Sequence, residues 1–152
     1  MMAAITSTAH TKINSVIFVE SLADDEMHTG TWVHEDLAAY LDCLPIHHEF
    51  HTVRDRIGLF LLLNQLRDRA RDQHLRPIIH IDAHGSEDKT GVRVLPSGDV
   101  VPWADLAGLF RNINRETLNN LVVVMSMCYG FRGIVPVGID VAPRKATSLI
   151  RR

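Results

Sequence analysis

Short apolar runs alternate with longer amphipathic stretches along the chain. Four runs rich in β-branched or apolar residues predict strands: Ser15–Ser21, Ile46–Val53, Pro77–Ala83 and Leu121–Met127. The run Ile46–Val53 alternates apolar and polar residues, which is typical of an outer strand. The run Leu121–Met127 is almost wholly apolar, so we expect that strand to lie near the centre of a sheet.

Three stretches between these runs predict helices. Thr31 can cap the first helix, with Glu35 and Asp36 in its first turn and its end before Pro45. The second helix would span Arg54–Leu75 and turn its charged second half to solvent, and the third would open at Pro102 and Trp103. The expected apolar faces hold Val33, Leu37, Leu41 and Leu44 in the first helix, Ile57, Phe60, Leu61 and Leu63 in the second, and Leu106, Leu109, Phe110 and Ile113 in the third.

Strands that alternate with helices predict an α/β fold. We expect a three-layer sandwich around a mostly parallel sheet of about four main strands. A small hairpin, formed by Gly91–Leu95 and Val100–Val101 around the turn Pro96–Asp99, should stand off this sheet. The length of 152 residues fits a polar leader over residues 1–14 and a single domain over residues 15–152.

Composition narrows the range of partners. Sixteen Lys and Arg residues against eighteen Asp and Glu residues leave a net charge of −2, which argues against binding to a nucleic-acid backbone. The longest apolar run, Ile57–Leu63, is too short to cross a membrane, and the first residues lack a signal-peptide core. We therefore expect a cytoplasmic protein with no membrane or nucleic-acid partner, in which two cysteines form no disulfide framework.

The candidate chemistry lies at the strand ends. Parallel strands with right-handed crossovers bring their carboxyl ends to one edge of the sheet, where ligands bind. His84 and Cys128 each end a predicted strand, and Gly85 and Gly130 follow them closely. An imidazole facing a thiol forms a nucleophilic pair, and the backbone N–H groups of Gly85 and Cys128 are natural donors to an oxyanion. Cys43 falls near the end of a helix, where we expect a structural role.

Several segments resemble the caspase-like cysteine peptidases, the clan of caspases, metacaspases, separase and the bacterial CHAT domains. They are Ile78–Gly85, Gly91 with the hairpin, Trp103–Leu106 and Val124–Gly130, and the resemblance covers most of the chain from Ser15 onward. The chain is most similar to CHAT-type proteins.

That resemblance implies specific roles for residues of this chain. Cys128 would be the nucleophile and His84 the base of a peptidase that cleaves protein or peptide substrates through a thioester acyl-enzyme, without a cofactor. Asp82, Ser126 and Gly130 would support this dyad.

The chain departs from the family pattern in two places. Ser126 stands where metacaspases carry an aspartate and caspases a glutamine, so the cleavage specificity of these relatives does not carry over. The family fold also continues beyond the cysteine with about two further strands. We therefore expect a domain that is incomplete at its C-terminal end and that self-associates or takes up a partner segment to complete the sheet.

Two other functions fit parts of the sequence. A caspase-like scaffold without a working pocket would be a binding or regulatory module. His80, Asp82 and His84 alternate and so share one strand face, as the ligands of a metal-dependent hydrolase could. The run Asp82–His84 also resembles the manganese ureohydrolases such as arginase, but those enzymes carry a further aspartate where Ser86 stands, so we expect no metal. His80 and Asp82 could instead form a buried hydrogen-bonded pair.

Other polar and aromatic residues have simpler explanations. His47 and His51 share one face of a strand while His48 lies on the other, so we expect a half-exposed strand rather than a set of ligands. Trp32 and Trp103, both near helix starts, are predicted core anchors.

Overall fold

The computed structural model describes residues 12–128, which form three helices and a mixed sheet of six strands. The chain is therefore an α/β protein, and its elements follow the predicted order. The strands are β1 (Ser15–Ser21), β2 (His47–Thr52), β3 (Pro77–Gly85), β4 (Gly91–Val94), β5 (Asp99–Pro102) and β6 (Val122–Ser126). The helices are α1 (Thr29–Leu41), α2 (Arg56–Asp72) and α3 (Trp103–Glu116).

Strand β3 lies at the centre of the sheet. It pairs in parallel with β1 on one side and with β6 on the other, and β2 pairs in parallel with β1. The last two residues of β3, His84 and Gly85, pair antiparallel with β4, which pairs antiparallel with β5. The sheet is thus mixed rather than mostly parallel, and the hairpin β4–β5 extends it instead of standing off it.

Side chains of β3 alternate between two differently covered faces. Ile79, Ile81 and Ala83 are buried in a core that also contains residues of α2 and α3. Because neighbours along a strand point to opposite faces, His80 and Asp82 lie on the other side, where Asp82 contacts α1 through Thr29. The apolar core therefore lies between the sheet and α2 and α3, and a more polar layer lies beneath α1.

Helix α2 buries only part of the predicted face, namely Leu63 and, in part, Phe60. Ile57 and Leu61 are exposed, and the buried residues of the helix are Leu59, Leu62, Leu63, Leu66 and Ala70. The apolar run Ile57–Leu63 places apolar side chains on every side of the helix, so it does not determine which side faces the core. Leu66 and Ala70, in the next two turns, determine that side. Leu66 and Ala70 bring one side of the second half of α2 into the core, while Arg71 and Asp72 are exposed, so the prediction that this half faces solvent is correct only for its charged side.

Helix α1 begins two residues before the predicted cap, so Thr31 lies inside it and its first turn holds no acidic residue. Its buried residues are Gly30 and Leu41, whereas Val33, Leu37 and Leu44 are exposed. Trp32 is also exposed, so its predicted role as a core anchor is wrong. Polar contacts made by the first turn, rather than an apolar face, hold this helix against the sheet.

The third helix and its neighbours agree better with the prediction. Leu106, Phe110 and Ile113 are buried, and Leu109 packs against the same core. Trp103 is buried and its indole N–H donates to the carbonyl oxygen of Lys89 at 2.9 Å, which confirms it as a core anchor. No helix within residues 12–128 is long and apolar enough to cross a membrane.

Strand β6 is more exposed than a central strand. Val122 and Val124 are exposed, while Val123 and Met125 pack against the core. Within residues 12–128, β6 pairs with β3 alone. The expectation of a central strand over Leu121–Met127 is therefore not met in the part of the chain that the structure describes.

Candidate active site at the carboxyl edge of the sheet

The register of β3 and β6 brings the two predicted reactive residues to one edge. The parallel pairing ends with Asp82 opposite Ser126. His84 lies two residues beyond Asp82 on β3, and Cys128 lies two residues beyond Ser126 in the turn that follows β6. Both residues therefore lie two positions beyond the last pair that β3 and β6 form with each other.

Both groups are accessible to reagents and substrates. Cys128 is exposed, and 46% of the His84 side chain is exposed. Within residues 12–128, no hydrogen bond joins the thiol to the imidazole. Cys43 is exposed as well and donates from its Sγ to the carbonyl oxygen of Ala39 at 3.4 Å. The two thiols can therefore be compared directly, because neither is shielded from solvent.

The imidazole of His84 has a carboxylate partner that the sequence did not lead us to predict. His84 Nε2 lies 2.9 Å from Glu26 Oε1, in the connection between β1 and α1. The second oxygen of this carboxylate, Oε2, accepts a hydrogen bond from the backbone N–H of Ala23 at 2.8 Å. That backbone hydrogen bond, followed by the contact with His84, lowers the pKa of Glu26 and keeps the carboxylate charged.

Gly85 continues the strand after His84 rather than turning the chain. It is the last residue of β3 and pairs with Val92 of β4, and the chain turns only in the following residues. Ser86 organises that turn, because its buried Oγ accepts hydrogen bonds from the backbone N–H groups of Thr90 and Gly91, each at 3.0 Å. The proposed oxyanion donor Gly85 is thus held in a strand directly beside His84, and Gly130 lies outside the described residues.

The hydroxyl of Ser126 and the imidazole of His80 meet on the face of β3 that also carries Asp82 and His84. Ser126 Oγ lies 3.0 Å from His80 Nε2, and the other ring nitrogen, Nδ1, is buried without a hydrogen-bond partner among the described residues. Burial lowers the pKa of His80, and the charge of Asp82 only partly opposes this effect. His80 therefore contacts Ser126 rather than Asp82, and the predicted His80–Asp82 pair does not form.

The carboxylates of Asp82 and Glu20 are both buried beneath helix α1. Asp82 accepts a hydrogen bond from the hydroxyl of Thr29, and Glu20 accepts one from the backbone N–H of Thr31 at 2.9 Å. His28 Nδ1 lies 2.6 Å from the other oxygen of Glu20. These contacts engage Oδ2 of Asp82 and both carboxylate oxygens of Glu20. Within residues 12–128, no group of three acidic, histidine or cysteine side chains has the geometry of a metal site.

The histidines of β2 form two separate contacts. His51 Nε2 lies 3.1 Å and His47 Nε2 3.6 Å from the carboxylate of Glu49, which Arg69 also contacts. His48 lies on the other face, between His34 and Asp42. Most of these side chains are only partly buried, as expected for a half-exposed outer strand.

A cleft of about 340 Å³ opens at the carboxyl end of β2, beside the start of α2. Its walls include His51, Arg54 and Gln65, and neither His84 nor Cys128 lines it. This cleft is therefore separate from the reactive side chains, and we place the candidate site where those side chains are. No protein-family model matches the sequence, and no curated protein matches it at a significant level.

The sequence offered one signal for Glu26. The acidic stretch Asp24–Glu26 is separated by two residues from the end of β1, a parallel neighbour of β3, and therefore had to lie at the edge that carries His84. Nothing in the pattern distinguishes Glu26 from Asp24 or Asp25, because the choice depends on the shape of the turn. Asp24 contacts Arg54 instead.

Proposed function

We propose that the chain is a caspase-like cysteine hydrolase of peptide bonds, built on a caspase-like sandwich, in which Cys128 is the nucleophile and His84 the general base. The observation that carries this proposal is the register of β3 and β6. Asp82 lies opposite Ser126, and His84 and Cys128 follow at the same offset on adjacent strands.

The reaction would proceed in two stages. Nδ1 of His84 takes the proton of the Cys128 thiol, and the thiolate attacks the carbonyl carbon of the scissile peptide bond. The C–N bond then breaks, the imidazolium returns its proton to the leaving amine, and a thioester remains on Cys128. Water, deprotonated by His84, attacks this thioester, releases the carboxylate product and restores the thiol.

The surroundings of the two imidazoles favour His84 over His80 as the base. His84 is half exposed and has a charged carboxylate within hydrogen-bond distance. His80 contacts a hydroxyl, but its second ring nitrogen is buried without a partner among the described residues, and burial opposes its protonation. A base must accept a proton during the reaction, so an environment that penalises the imidazolium is unsuitable.

Brief treatment with iodoacetamide at neutral pH, followed by peptide mapping with mass spectrometry, tests the proposal. We expect Cys128 to be labelled several times faster than Cys43, and His84→Ala to remove this difference. His80→Ala is the matched control and should leave the labelling of Cys128 fast. Preferential labelling of Cys43, or fast labelling of Cys128 without His84, would contradict the proposed dyad.

The same variants distinguish a hydrolase from a binding module. The wild-type chain should cleave members of a mixed peptide library, and Cys128→Ser and His84→Ala should each abolish cleavage. A reactive Cys128 without cleavage of any peptide would favour the binding or regulatory module instead.

A further inference from the structure

We propose that Glu26 is a positioning residue for His84, which selects the tautomer and the ring face that the imidazole presents to Cys128. This inference rests on the proposed function of His84 and Cys128. Glu26 lies in the connection between β1 and α1, far from both residues in sequence, and reaches His84 with a 2.9 Å contact to Nε2.

The turn that carries Glu26 fixes the position of its carboxylate. The backbone N–H of Glu26 donates to the carbonyl oxygen of Ala23 at 3.1 Å, and the backbone N–H of Ala23 donates to Glu26 Oε2 at 2.8 Å. These reciprocal bonds close the turn and leave Oε1 as the oxygen that faces the imidazole. A side chain held at both its backbone and its carboxylate loses little entropy when it orients a neighbour.

This contact determines which ring nitrogen carries the proton. A carboxylate only accepts hydrogen bonds, so His84 Nε2 must carry a hydrogen to bond to Glu26. In the neutral imidazole the other nitrogen, Nδ1, is then the basic atom. The proton of the Cys128 thiol therefore moves to Nδ1, and the imidazolium that results is stabilised by the negative charge of Glu26.

The other charged groups around His84 do not duplicate this role. Arg93 lies opposite His84 on β4, and its positive charge contributes to the low pKa of Glu26. Glu87, in the loop after β3, lies 4.0 Å from Arg93 and is 97% exposed. Asp82 faces Thr29 of α1. Glu26 is thus the carboxylate placed to pair with the imidazolium of His84.

The decisive variant is Glu26→Gln, because its amide oxygen can still accept the hydrogen bond from Ala23 while the negative charge is lost. Asp25→Asn is the matched control, since it removes one negative charge from an exposed neighbour in the same loop. The measurements are the rate of Cys128 alkylation by iodoacetamide between pH 5.5 and 9, and the ¹⁵N shifts of the His84 ring, which report its tautomer. Cys43 serves as the internal reference for each preparation.

We expect Glu26→Gln to slow alkylation of Cys128 at pH 7 about five- to tenfold and to move the pH profile towards higher pH, because the imidazolium loses its charged partner. When the amide oxygen accepts from Ala23, the amide NH2 faces His84, donates to Nε2 and favours the opposite tautomer. Asp25→Asn should change the rate less than about twofold. The ring of His84 should carry its proton on Nε2 in the wild type and lose this preference in Glu26→Ala.

The outcomes separate the two proposals. If His84→Ala slows Cys128 alkylation but neither variant of Glu26 does, the role of Glu26 is refuted and the dyad stands. If His84→Ala has no effect, the dyad itself is refuted. An equal effect of Glu26→Gln and Asp25→Asn, or a mixed tautomer in the wild type, would also overturn the positioning role.

Discussion

Glu20 and Thr31 join the end of strand β1 to the first turn of helix α1: Glu20 Oε1 accepts a hydrogen bond from the Thr31 backbone N–H at 2.9 Å. The helix has no capping side chain of its own, and the carboxylate of another element satisfies one of its first N–H groups. Gly30 permits the close approach, because a Cβ atom there would lie 3.0 Å from the same oxygen. Only 2% of Glu20 is exposed, so this contact is shielded from water.

Removing this carboxylate should loosen helix α1. We expect Glu20→Ala to lower the free energy of unfolding by about 3 kcal/mol, because the N–H of Thr31 and the ring of His28 lose a buried partner. Urea denaturation followed by circular dichroism measures the effect. Glu35→Ala removes an exposed carboxylate from the same helix and should change stability by less than about 0.5 kcal/mol. Equal losses in the two variants would contradict the assigned role of Glu20.

The pair His28–Glu20 makes stability depend on pH. The hydrogen bond to Glu20 raises the pKa of His28 above its ordinary value of 6.5, and Asp24 adds to the effect. The folded state therefore holds a proton that the unfolded state releases, and its stabilising effect is complete below pH 6.5 and is lost as pH rises through the raised pKa. The stability advantage of the wild type over His28→Gln should accordingly fall from pH 6 to pH 8. Thermal melting at a series of pH values measures it, and an advantage that grows with pH would have the wrong sign.

Gly91 allows β4 and β5 to approach each other closely at the open end of the hairpin. A Cβ atom at this position would lie 2.1 Å from the carbonyl oxygen of Val101, so Gly91→Ala must push β4 and β5 apart. We expect a loss of at least about 1–3 kcal/mol in the free energy of unfolding, measured by denaturant titration. Gly108→Ala is the control of opposite sign: a Cβ on that helical glycine meets no atom within 4 Å, and helix propensity should add about 0.5–1 kcal/mol.

The buried face of α2 can be tested with two leucines of one helix. Leu66 is fully buried, whereas Leu61 is 58% exposed. Leu66→Ala should lower the free energy of unfolding by about 2–5 kcal/mol through lost burial and a cavity, and Leu61→Ala by less than about 1 kcal/mol. Chemical denaturation of the two variants gives the comparison. A larger loss for Leu61→Ala would restore the face predicted from the apolar run.

Local pattern predicted the elements well and their contacts less well. The β-branched run Pro77–Ala83 was enough to predict β3, because a strand depends on the residues within it. Its pairing with both β1 and β6, and the attachment of the hairpin to its last two residues, depend on segments far away in the chain. The prediction of a mostly parallel sheet failed at the hairpin for this reason.

The site shows the same division. His84 and Cys128 could be singled out because each follows an apolar strand, and strand ends meet at one edge. Glu26 could not be chosen over its acidic neighbours, since its reach to His84 depends on the turn closed by Ala23. The way α1 packs on the sheet could not be predicted either, because it depends on the buried carboxylates of Glu20 and Asp82 rather than on an apolar face of the helix.

The alternation along β3 places two kinds of structural demand on neighbouring residues. Ile79 and Ile81 must have the right side-chain volume, because they fill the space beneath α2 and α3. The polar residues of the strand must instead meet one specific hydrogen-bond partner each: Ser126 for His80, Thr29 for Asp82 and Glu26 for His84. An engineer could therefore adjust core packing through Ile79 and Ile81 while leaving the polar contacts of the other face in place, whereas a change at Asp82 would also loosen α1.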